Sequence, residues 1–244
     1  MRLISEEELR EKLKDQKPAV YYIPEGRILS PAAKDYLNRQ LISVELEKNR
    51  PRQPAKGQGY RDYVTGTHYE KKPEFMTHMY GNLLVRKDAA IIRYRGKLDH
   101  LQAEIITAQT VIEASNKKKK VIEELDELLG VSRELMRCEL MQESVKIERI
   151  LGLTKDELRE HSHHSDQYYH VNVMELPDRT KGMEYAWLNL LRTSVRETEL
   201  AAVEAFFQDD TNKRTDIIEI LNRMSSAVHI MMCKWAGGMY KEDE

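Results

Sequence analysis

Cysteine is nearly missing. The 244 residues hold two, Cys138 and Cys233, and neither has a CxxC neighbour, which argues against a disulfide framework and leaves buried free thiols as the simpler reading. No run approaches about 18 consecutive apolar residues, so no membrane-spanning helix is expected. Met1 to Leu13 is studded with charge where a signal peptide would be apolar, and a cytoplasmic protein is expected. The formal charge of −2 supplies no global field for nucleic acid or an anionic membrane, and neither is expected as a partner. Walker A and GxGxxG sequences are lacking too, which excludes an ordinary P-loop or Rossmann site as far as motifs can.

What is present is helical periodicity with charge on its outer faces. Residues 1–46 read as a small α/β module: a helix from Ser5, an apolar strand 19–23, and a helix that Ser30 caps with Pro31 in its first position. An alternating strand, 41–46, pairs with the first. From 47 to 72 the chain is polar and rich in Pro, Gly, Lys and Arg, the composition of a linker or mobile loop. After Pro73 a stretch 76–85 turns at Gly81-Asn82, and amphipathic patterns then fill 88–115, the segment after the Lys117–Lys120 run, 145–161 with Thr154 as a cap, 182–207 and 214–235. The expected fold is therefore mainly α: a five-helix bundle over 73–244, preceded by the small α/β module.

Chemistry has several places to sit. In 182–207, Asn189, Arg192, Arg196 and Glu199 fall along one side beside Leu188, Leu191, Val195 and Ala202. Two arginines one turn apart repel by roughly 0.2–0.5 kcal/mol unless an acid or a phosphate offsets them, and the arginine fork suits phosphate. A salt-bridge ladder fits the spacing as well. The last helix places Asn222, Ser225, Ser226 and His229 within an apolar stripe, and the first sets Asp99 and Gln102 beside Leu98 and Leu101, so three helices offer polar groups next to core positions. Thr77, His78 and Asn82, leading to Lys87, have the small and polar character of a phosphate-cradling turn. Four histidines between His161 and His170 invite a metal, and Glu160 with His163 has the ExxH spacing of iron bundles, yet polar loops tolerate histidine easily.

Together these segments resemble the corrinoid adenosyltransferases, most closely the ethanolamine-utilisation type, with the propanediol-utilisation type as a relative. Leu188 to Glu199 is similar to the family's helix with two ATP-contacting arginines. Leu221-Asn222-Arg223-Met224-Ser225-Ser226 resembles its segment with a nucleotide-contacting asparagine. Lys87 through Gly96 to Asp99 keeps its spacing from a phosphate-binding lysine to an aspartate that pairs with the first arginine across a subunit boundary. Ile28 to Lys34 resembles its leading region. The chain departs from the pattern in three places: 60–72 holds His68 but no cysteine where the ethanolamine type has a cysteine-rich metal motif, Ile91 stands where the propanediol type has an arginine, and Met174 stands where that type sets a phenylalanine below the cobalt.

The resemblance implies a reaction in which cob(I)alamin attacks C5′ of ATP and triphosphate leaves, with ATP, cobalamin and Mg²⁺ as the small molecules involved. It implies Arg192, Arg196 and Asp99 as catalytic residues, and Lys87, Thr77, His78, Asn82, Glu199 and Asn222 as further ATP contacts. Met174, Tyr168, Tyr169 and Trp187 would wall the corrinoid. It also implies a homo-oligomer, a trimer with sites between subunits, that serves adenosylcobalamin-dependent enzymes in the cytoplasm or beside a bacterial microcompartment. The identity of a tightly bound metal stays open. Three other readings are a non-catalytic corrinoid carrier, a microcompartment scaffold and a carboxylate-bridged iron bundle.

Overall fold

The computed structural model describes residues 2–14, 20–40, 42–47, 59–116, 119–171, 176–207 and 214–240. These divide into two compact units, 1–85 and 86–244.

The first unit opens with β1 (Arg2–Ile4), α1 (Glu6–Lys12), β2 (Val20–Ile23), β3 (Arg27–Leu29), α2 (Pro31–Arg39) and β4 (Ser43–Leu46). Ser5 and Ser30 each cap a helix by accepting from the amide three residues on, and Pro31 takes the first helical position. β2 pairs with β4 in parallel, Tyr21 opposite Val44. The sequence does not announce β1, which pairs in parallel with β3; a three-residue strand carries too little alternation to register. Ile4, Leu9, Tyr21, Ala33, Leu37 and Ile42 form the core of this part. Arg27 ties β3 to α1 through both oxygens of Glu8, at 2.6 and 2.7 Å.

Of the polar stretch 47–72, residues 48–58 lie outside the described residues. The rest carries β5 (Tyr60–Asp62) and β6 (His68–Tyr69), which join β7 (Met76–Tyr80) and β8 (Leu83–Arg86) in a sheet ordered β6-β5-β8-β7. Such short polar strands show no period in sequence. Asp62 shapes the intervening turn by accepting from the amides of Val64 and Thr65, and those bonds, Thr65 first, hold its carboxyl below the usual range.

The second unit is mostly helical: α3 (Ala90–Asn116), α4 (Lys119–Leu140), a hairpin of β9 (Arg149–Ile150) and β10 (Leu153–Thr154), α5 (Lys155–His163), α6 (Ser165–Tyr169), α7 (Met183–Phe206) and α8 (Thr215–Ala236). α3 lies against α4 and α7, α7 against α8, and α8 against α5. The stripes read from the sequence point inward: Leu98, Leu101, Ile105 and Ile112, Leu125 and Leu128, Leu188, Leu191 and Val195, and Leu221 and Val228 are all buried, each contributing roughly 1.5–3 kcal/mol. Both cysteines are buried and free.

One helix is shorter than its pattern. The sequence predicts a helix over 145–161, but Leu151-Gly152 forms a hairpin turn with φ of +54° and +76°, and helix begins only after Thr154. That start is sharp, because Thr154 and Glu157 cap each other's amides in a complete capping box.

Candidate functional site

α7 and α8 pack with their polar strips on a shared border. Asn189, Arg192 and Glu199 on α7 are half-buried, as are Asn222, Ser225, Ser226 and His229 on α8, while Arg196 is exposed. Asn222 Nδ2 donates to Glu199 Oε1 at 2.9 Å, and Arg223 donates to Asn222 Oδ1. Arg192 reaches Asn189 Oδ1 at 3.3 Å.

Among the described residues Arg192 and Arg196 have no ion-pair partner, although acids are close in sequence. The rungs between α3 and α7 use other residues: Arg93 with Glu204 at 2.6 Å and Lys97 with Glu197 at 2.6 Å. A ladder therefore exists on α7, and the two arginines are not part of it.

His229 records the charge of Arg192. Burial first, and then that guanidinium, push its imidazole below the ordinary value of 6.5, and Cys233 Sγ sits 3.6 Å from its Nε2. In the sequence His229 stands out only as a polar group in an apolar stripe, and the spacing of four to Cys233 is the one local sign of this pairing.

A second cluster lies at α5 and α6. His161 stacks on the ring of Tyr168, centroids 3.7 Å apart and 15° from parallel, and its Nδ1 lies 2.9 Å from the Tyr169 hydroxyl. Tyr168 donates to Glu160 at 2.8 Å. Tyr168 is exposed and Tyr169 buried, and burial, with the fields of Cys233 and Glu124 behind it, pushes the Tyr169 phenol up to about 12. Electrostatic neighbours thus run from Tyr169 through Cys233 and His229 to Arg192. Trp187 is half-buried on α7. Met174 lies outside the described residues.

The remaining positions are more scattered. Asp99 is exposed on α3 and Lys87 is exposed in the turn before it, and among the described residues neither pairs with Arg192 or Arg196. Thr77, His78 and Asn82 belong to the first unit, on the β7–β8 hairpin. There His78 Nδ1 lies 3.1 Å from the Gly81 carbonyl oxygen and Asn82 makes a long contact to Gly59. For metals, no group of three ligating side chains gathers among the described residues. Glu160 of the ExxH pair is engaged by Tyr168, and His68 is exposed on β6, across from Arg61.

A family model described as cobalamin adenosyltransferase matches residues 68–235. The corrinoid adenosyltransferase EutT of Salmonella typhimurium (strain LT2) is 34% identical over 163 residues, which cover 66% of this chain and 59% of that protein. The protein of the same name from Escherichia coli (strain K12) is 28% identical over 233 residues, 88% of this chain and 85% of its own length. No solved structure matches. No helix among the described residues is long and apolar enough to cross a membrane.

Proposed function

The chain belongs to the cobalamin adenosyltransferase family, and from that premise we propose that it transfers the 5′-deoxyadenosyl group of ATP to cob(I)alamin, giving adenosylcobalamin and triphosphate. The observation that carries the reading is the pair Arg192 and Arg196, one turn apart on α7, with no ion-pair partner for either among the described residues. Cobalt(I) donates its electron pair to C5′ as the bond from C5′ to the triphosphate oxygen breaks. Charge on the departing oxygen then falls to two guanidinium groups already in place, at no cost of reorganisation.

Around them, Asn222 and Glu199 brace one end of the strip, and Asn189 holds Arg192 at the other. Lys87, Thr77, His78 and Asn82 are assigned to the nucleotide's phosphates on the family resemblance. Asp99 is assigned to orient Arg192 of a neighbouring subunit. Mg²⁺ binds through few carboxylates and keeps phosphate oxygens as ligands; Glu199 has one oxygen engaged by Asn222 and fits as such a carboxylate. When bound, Mg²⁺ would add neutralising charge on the triphosphate.

The exposed Tyr168, with Tyr169, Trp187 and Met174, is assigned to the corrinoid, where an apolar wall excludes water and favours loss of the lower axial ligand. A homotrimer with shared sites accords with the apolar side chains that α7 exposes at helical spacing, Leu200 and Val203. α3, α4, α5, α7 and α8 would then form the five-helix bundle of the working domain, in a cytoplasmic protein that hands its product to adenosylcobalamin-dependent enzymes, in or beside a microcompartment.

The test is anaerobic incubation with ATP and chemically reduced cobalamin, followed by the cobalt spectrum. A light-sensitive carbon–cobalt bond is the expected product. Cobalamin retained without ATP turnover would select a carrier instead.

A further inference from the structure

The chain beyond α8 is held more firmly than a helix end requires. α8 closes in a Schellman turn: Gly238 has φ +73°, its amide donates to the Trp235 carbonyl at 3.1 Å, and the Met239 amide reaches back to Lys234 at 2.9 Å. The reversal brings Tyr240 into the helical unit, where it is buried and its hydroxyl donates to Glu124 of α4. Lys234 takes the other oxygen of that carboxylate at 2.6 Å. One largely buried acid on α4 therefore grips the end of α8 with both oxygens.

The same end of α8 seats α6. A Cβ on Gly237 would stand 2.6 Å from the Tyr169 carbonyl oxygen and 3.6 Å from Val171 Cγ1. The nearer obstacle is backbone, which has no side-chain torsion to relieve it. Only glycine lets Tyr169 settle there. The Tyr169 hydroxyl meets His161, and His161 carries the stacked ring of Tyr168, so the clamp, Gly237 and the exposed ring form one connected assembly.

We propose that Gly237 and the Glu124–Lys234–Tyr240 clamp are positioning elements for corrinoid binding, which fix Tyr169 and, through His161, present the Tyr168 ring in a single pose. The inference rests on the reading that Tyr168 and Tyr169 face the corrinoid. The clamp makes no bond to Arg192 or Arg196 among the described residues and meets that end of α7 only at a distance, through Cys233 and His229, so its effect is expected chiefly on the corrinoid half of the reaction.

The experiment compares Gly237→Ala, Tyr240→Phe and Tyr168→Ala in the full chain. It measures KM for ATP and for reduced cobalamin separately, with amide exchange over 165–171 in the ligand-free protein. Gly237→Ala is expected to raise the corrinoid KM about tenfold and to speed exchange over 165–171, with the ATP KM unchanged. Tyr240→Phe should do the same to a smaller degree, and it carries the test should the alanine variant not fold. Equal rises in both KM values overturn the proposal. So does an unchanged corrinoid KM: if Tyr168→Ala nonetheless raises it, the positioning proposal alone falls, and if Tyr168→Ala leaves it unchanged too, the aromatic-wall reading falls with it.

Discussion

Asn222 on α8 donates to Glu199 on α7 at 2.9 Å, and this bond engages the acid that stands three residues from Arg196 on the same helix. Spacing alone would pair Glu199 with Arg196. The bond to the neighbouring helix draws the carboxylate to the inter-helix border and leaves the guanidinium outside.

Replacing either arginine tests the assignment directly. Arg192→Ala and Arg196→Ala should each lower kcat/KM for adenosyl transfer by roughly 10²–10³, the usual effect of removing one charge-stabilising donor. Stability should move by no more than about 0.5 kcal/mol, since among the described residues neither has an ion pair to lose. Steady-state kinetics beside a thermal melt checks both; unaltered turnover removes these residues from the mechanism.

If Asp99 serves Arg192 of another subunit, single variants should complement. Asp99→Ala and Arg192→Ala, each strongly impaired alone, should recover a fraction of wild-type activity when unfolded together and reassembled, because some sites then hold both native groups. Activity no greater than the sum of the parents would place the pair within one chain, or nowhere.

His229 sets a pH dependence. Its native value lies below the ordinary 6.5, so the unfolded chain takes up that proton more readily. The contribution is complete above about pH 6.5 and is lost as pH falls through the native value. His229→Gln should flatten the acid side of the melting-temperature profile, and Arg192→Ala should raise the imidazole's titration midpoint by NMR. A midpoint that does not rise would separate the two groups.

Arg95 and Glu139 form the most deeply buried pair, 13% and 1% exposed, joined by bonds of 2.7 and 2.9 Å. Arg95→Met takes both of these bonds from a buried carboxylate and should cost about 3–5 kcal/mol in urea unfolding. A loss under about 1 kcal/mol would mean that Glu139 is satisfied without the guanidinium.

The helices and caps were legible in the sequence because local chemistry settles them. Ser30-Pro31 and Thr154 with Glu157 mark helix starts by side-chain bonds within three residues, and the apolar stripes of α3, α4, α7 and α8 repeat long enough to rise above chance. The hairpin at Leu151-Gly152 was hidden because Ile150, Leu153 and Leu158 also suit a helical period, and Gly152 was the signal that broke it. The arginine strip could be located but not its lack of acids, which depends on where Glu197, Glu199 and Glu204 find partners on other helices. Gly237 gave no sign at all: the need for a missing Cβ arises from Tyr169, almost seventy positions earlier.

Two guanidiniums without an ion pair among the described residues also tie the durability of this fold to its surroundings. Any polyanion that settles on Arg192 and Arg196 binds the native chain and not the unfolded one, so occupancy becomes resistance to heat, about 2.7 kcal/mol at a hundredfold excess over Kd. A protein washed free of nucleotide would be the frailest version of itself.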